Sequence, residues 1–115
     1  MDKPHLYSAN PENWRPHPIL PGIRIQSFET SASWPGASVT LVEVAPGGVI
    51  VEHQHETNYE SAYVLSGKGL LHLPDGDVRI GPGDGVTIPP KTPHALENAG
   101  DEPMRLFAVH IPPLV

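Results

Sequence analysis

Apolar and polar residues alternate along this chain in short runs separated by clusters of glycine, proline, asparagine and aspartate. GIRIQSFET, residues 22–30, predicts a first strand with Ile23, Ile25 and Ser27 on one face, and ASVTLVEVA, residues 37–45, a second. Residues 31–36 supply the turn between them, and Pro46-Gly47-Gly48 ends the second. In the next run Val49, Val51, His53 and His55 share parity, which places them on one face and predicts that this face points inward. After the turn-prone Glu56-Thr57-Asn58, the residues Glu60, Ala62 and Val64 share an inward face in the same way. Gly67-Lys68-Gly69 turns the chain into LLHL, and Pro74-Asp75-Gly76 is a hairpin signal because proline presets one turn position and glycine tolerates positive φ. VRI, the glycine-rich residues 81–85, VTI, ALEN and MRLFAVHI follow, the last two flanking a turn at residues 98–103. About nine or ten short strands at nearly regular spacing predict an all-β sandwich or barrel.

Composition narrows the picture. At 115 residues and 38% apolar content the chain predicts one domain with a real core, and 15 prolines with 11 glycines argue against long helices. Residues 1–21 hold five of those prolines and read as an extended arm ahead of a single domain over residues 22–115. Such an arm can lie along a surface but cannot form a central strand. Leu6, Tyr7, Trp14, Ile19 and Leu20 are its candidate anchors, and His5 and His17 read as surface residues. The net charge of −6, with the seven basic residues scattered singly, argues against nucleic acid and anionic membranes as partners. No run approaches the roughly 18 apolar residues of a membrane span, and the polar start lacks the apolar region of a signal peptide. The expectation is a cytoplasmic protein, with which the absence of cysteine agrees.

The chemistry concentrates in His53, His55 and Glu60, joined by His94 after a proline-rich turn. Each alone is an ordinary strand residue; together they offer three imidazoles and one carboxylate. That donor set suits one divalent transition metal per chain, whether iron, manganese, nickel, copper or zinc, and suits calcium or magnesium poorly. His110 shares parity with Leu106 and Ala108 and is a candidate pocket residue, either supporting a ligand or acting as a general base. Tyr59, Tyr63 and Arg105 are candidate proton donors or carboxylate clamps, with Tyr63 expected to pack between the sheets. His72, between leucines, reads as an outer-face residue, and Val51, Val64, Val86, Ile88 and Phe107 as core.

These residues carry a family resemblance. Gly47, His53, His55, Glu60 and Gly67, separated by five, one, four and six residues, resemble the first conserved motif of the cupins. Gly83, Pro89, Lys91, His94 and Asn98 resemble the second, with the fifteen residues between Gly67 and Gly83 typical of compact microbial members. Lys91 departs from the pattern, which has glycine there and so permits a positive φ. The resemblance implies a jelly-roll β-barrel, the double-stranded β-helix, with His53, His55, Glu60 and His94 as ligands of a mononuclear metal. It also implies a homodimer, with the arm able to cross onto the second subunit, and a small organic substrate. A dioxygenase acting on an enolisable or aromatic compound is the expected activity. Non-oxidative isomerases, lyases and cyclases of the same fold are the alternative, and a non-catalytic small-molecule binder is a third reading. A lyase or isomerase needs a nearby acid or base such as Tyr59 or His110, and a dioxygenase needs a redox metal.

Overall fold

Among the described residues, ten strands form two antiparallel sheets that face each other across the apolar core. The structure is a computed structural model and describes residues 2–115. A 3-10 turn, Pro11–Asn13, precedes β1 (Arg15–Pro16), β2 (Ile23–Glu29), β3 (Ser38–Val44), β4 (Val49–His53) and β5 (Tyr59–Ser66). β6 (Gly69–Leu73), β7 (Gly76–Ile80), β8 (Gly85–Ile88), β9 (His94–Asn98) and β10 (Met104–Ile111) complete it. The larger sheet runs β1-β2-β3-β10-β5-β8 and the smaller β4-β9-β6-β7. This is the two-sheet barrel the alternation predicts and the jelly roll the resemblance implies, with Ala62 and Val64 on β5, Leu106 and Ala108 on β10, Leu96 on β9 and Leu71 on β6 meeting in one cluster. No helix among the described residues is long and apolar enough to cross a membrane.

Strand parity holds in β5 and β10 and fails in two other strands. In β4, Val49 and Val51 are exposed, while Ile50 packs against the core. Ile50 pairs with Leu96 and His53 with His94, so three steps along β4 match two along β9. One extra residue in a β-bulge reverses the side-chain alternation, and this brings His53 inward although Val49 and Val51 face out. Val51 is therefore not a core residue. In β2 a second irregularity lies between Ser27 and Glu29, beyond which Glu29 is buried.

The arm folds back on its own barrel. Arg15 and Pro16 pair with Ile25 and Arg24, making β1 an edge strand, where a proline that cannot donate to the ladder is tolerated. Tyr7 stacks on Phe28 at 4.5 Å, the Asn10 amide donates to Gln26 Oε1 at 3.0 Å, and His5 Nδ1 lies 2.8 Å from Glu29 Oε1. Trp14 covers the guanidiniums of Arg24 and Arg105, which both bind Glu43. Arg105 is thus engaged on the outer face and is not a substrate clamp.

One glycine between β5 and β6 is required by space as well as by backbone. Gly67 has φ +82, and a Cβ there would sit 2.6 Å from Met104 Cα. That close approach lets β5 hand the chain to β6 over the first residue of β10.

Candidate metal centre

The site is built from two cross-strand pairs that face each other between the sheets. On the smaller sheet His53 pairs with His94, and on the larger Glu60 pairs with His110. Ladder register therefore fixes four of the five side chains. The fifth, His55, lies in the loop after β4, where its carbonyl accepts the Lys91 amide at 2.7 Å. Lys91 has φ 61 and is the only non-glycine residue with positive φ among the described residues. The turn keeps the conformation glycine would give it, at a local cost of roughly 1–2 kcal/mol.

Ligand atoms of His53, His55, Glu60 and His94 all lie within 4.8 Å of one another. His53 Nδ1 donates to the Val51 carbonyl and His94 Nδ1 to the Thr92 carbonyl, each at 2.8 Å. With the proton held on Nδ1, both rings present the Nε2 lone pair to the site, the tautomer a metal ligand requires. His94 Nε2 is buried without a hydrogen-bond partner, 3.7 Å from Glu60 Oε1. An orphaned buried nitrogen beside a carboxylate and two further imidazoles fits an ion of the transition series. His55 Nε2 lies 3.1 Å from Glu60 Oε1 and His110 Nε2 2.8 Å from the same oxygen.

These contacts set the charges. Burial opposes ionisation of Glu60, but the hydrogen bond from His110 at 2.8 Å, aided by the nearby His94 ring, outweighs it and holds the carboxyl well below its usual range. Burial likewise opposes a charge on His94, yet Glu60 and the Thr92 carbonyl together raise its pKa. On His55 burial wins over Glu60 and lowers the pKa.

The remaining candidates separate cleanly. Tyr59 adjoins Glu60 on β5, so alternation turns it to the outer face, where it is exposed; it is not in the site. Tyr63 is also exposed on that face rather than packed between the sheets. His72 lies on the outer face of the smaller sheet, bound to Asp77 at 2.7 Å. The carbonyls of Val51 and Thr92 and the amide of Lys91 are the site groups that sequence reasoning missed. Being backbone, they leave no residue-type signal, and only the Lys91 departure from glycine marked the last of them.

A family model described as a cupin domain matches residues 40–110. The chain is a cupin. This cupin is 37% identical over 101 residues to the uncharacterized protein MJ1618 of Methanocaldococcus jannaschii, covering 86% of this chain and 81% of that one. It is 33% identical over 70 residues to the oxalate-binding protein of Thermotoga maritima, covering 61% of this cupin but only 58% of that protein's length. Among solved structures, an uncharacterized double-stranded β-helix protein from Klebsiella pneumoniae superposes with a TM-score of 0.79 at 22% identity, covering 97% of this cupin and 93% of that chain.

Proposed function

We propose that this cupin is a mononuclear metal enzyme, of dioxygenase type, acting on a small enolisable or aromatic substrate. The observation that carries the metal reading is the buried, partnerless Nε2 of His94, aimed where His53, His55 and Glu60 converge. Four protein ligands on an ion that prefers five or six leave one or two positions for a substrate. When bound, the ion would supply Lewis acidity and, if redox-active, a meeting point for substrate and dioxygen.

The chain's own residues shape what can enter. Three neutral imidazoles and one carboxylate leave a divalent site with a net charge of about +1, which favours a small anion offering two oxygens. The likeness to an oxalate-binding protein supports that ligand class. A non-oxidative lyase or isomerase needs a free acid or base beside the substrate. Tyr59 faces outward and His110 is engaged with Glu60, which supports the oxidative reading.

The test is elemental analysis of protein purified without a metal-binding tag, followed by oxygen uptake on small diketones, phenols and hydroxy acids. About one redox metal per chain with uptake supports the proposal. Stoichiometric metal with turnover in the absence of air moves the assignment to the non-oxidative class, and no metal under any loading condition removes the site. We also read the enzyme as a cytoplasmic homodimer, on the cysteine-free sequence and the family resemblance; sedimentation at twice 12.4 kDa tests the dimer.

A further inference from the structure

We propose that His110 is the positioning residue of this centre: its Nε2–H holds Glu60 Oε1 and sets the carboxylate in its ligand pose without itself becoming a ligand. The proposal rests on the metal reading above and adds a fifth side chain to it. Ladder pairing sets His110 directly opposite Glu60, within the unbroken register from Leu106↔Val64 to Ile111↔Tyr59 between β10 and β5. The two side chains leave adjacent backbones toward the same interior. His110 is 8% exposed, and its Nε2 lies 2.8 Å from Oε1.

Tautomers separate this imidazole from two of the others. An ionised carboxylate can only accept, so at 2.8 Å His110 Nε2 must carry a proton and cannot offer a lone pair there. His53 and His94 are arranged in the opposite sense, with Nδ1–H bonded to backbone carbonyls and Nε2 free. His55 has no such backbone anchor among its hydrogen bonds and meets Oε1 at 3.1 Å, so it can exchange its tautomer and turn Nε2 into a donor atom for an ion. His110 is left as the group that keeps Oε1 in place when His55 turns away. An oxygen held by one N–H still has a lone pair for an ion, and partners of this kind typically alter metal affinity by about 10–100-fold.

The experiment compares His110→Gln, whose amide nitrogen reaches close to the position of Nε2, with His110→Phe, which fills the space and donates nothing. Zinc affinity is measured by competition with a chromophoric chelator, and nitrogen NMR reads each histidine tautomer before and after zinc. The expected result is affinity within about threefold of wild type for His110→Gln and a loss of about 10–100-fold for His110→Phe. In the wild type His110 Nε2 should stay protonated in the zinc-loaded protein while Nε2 of His53, His55 and His94 takes the metal-bound shift. If His110→Phe does not fold, His110→Asn, too short to reach Oε1, takes its place with the same expected loss. Equal affinity in the donor and non-donor variants overturns the proposal, as does a metal-bound shift at His110. Wild type that binds no zinc instead overturns the metal reading on which it rests, which keeps the two failures distinct.

Discussion

Replacing Lys91 by glycine should stabilise the protein while leaving the metal centre intact. Lys91 holds φ 61, a conformation that costs a residue bearing a Cβ roughly 1–2 kcal/mol and costs glycine almost nothing. Glycine is more flexible in the unfolded chain, which takes back roughly 0.5–1 kcal/mol. The difference is a gain of about 0.5–1 kcal/mol. For a chain between the small and mid-sized classes that corresponds to a rise in Tm of roughly 2–5 °C. Lys91→Ala is the control: alanine keeps the Cβ and its strain, and the lysine side chain is exposed, so its stability should stay within about 0.5 kcal/mol of wild type. The assay is urea unfolding of chelator-treated protein, with thermal scans as a second probe. Both variants retain the amide that donates to the His55 carbonyl at 2.7 Å, so zinc affinity should stay within a few-fold of wild type. A glycine variant no more stable than the alanine one would refute the assignment of strain to this position.

Three further outcomes follow from the same geometry. His55→Ala should lose most of the bound metal, by elemental analysis, with its strand-type circular dichroism preserved; unchanged metal content would sink the site. Lowering the pH should weaken metal binding: Glu60 stays ionised, whereas His94, its pKa raised above 6.5, takes up a proton that competes with the ion. In the metal-free protein the His94 contribution has the opposite sign, being present below the unfolded-state pKa near 6.5 and lost as pH rises through the higher folded value. The Tm difference between zinc-loaded and chelated protein should therefore widen from pH 6 to pH 8, and a narrowing gap would count against the ligand assignment. Gly67→Ala should cost roughly 3 kcal/mol or more, since its Cβ meets Met104 Cα at 2.6 Å in a left-handed conformation; a urea midpoint close to wild type would contradict that packing.

How legible the site was depended on how regular each strand is. Glu60, Ala62 and Val64 were readable as one inward face because the β5 ladder from Tyr59 to Val64 runs without interruption against β10, and the same rule applied strictly excludes Tyr59 as Glu60's immediate neighbour. His53 points inward as expected, but for a different reason: Val49 and Val51 lie outside, and the bulge after Ile50 reverses the alternation before His53. A bulge is set by how β4 meets β9, not by residue type, so no single-strand pattern reveals it. The arm was readable as an extended surface segment from its prolines, but its seat depends on Tyr7, Asn10 and Arg15 finding partners on β2.

Two of the departures from local rule, the β4 bulge and the left-handed Lys91, occur at the metal centre, and the rows of inward side chains show why the fold tolerates them there. Along the larger sheet the row that carries the site reads Ser38, His110, Glu60 and Ile88, and the next reads Thr40, Ala108, Ala62 and Val86. Beyond these, Val42, Leu106 and Val64 begin the large apolar packing that Met104 and Val44 complete. The residues directly beneath His110 and Glu60 are thus the alanines Ala108 and Ala62, and the large apolar side chains of the central strands begin one row further on. The core is anchored at the far end of the barrel, so a bulge in β4 and a strained turn at Lys91 disturb little apolar contact. Small residues under the ligands also leave the donor atoms, rather than a packed wall, as the main features a ligand would meet. The strain at Lys91 and the bulge in β4 thereby fall at the end of the barrel where position, not burial, is what the residues supply.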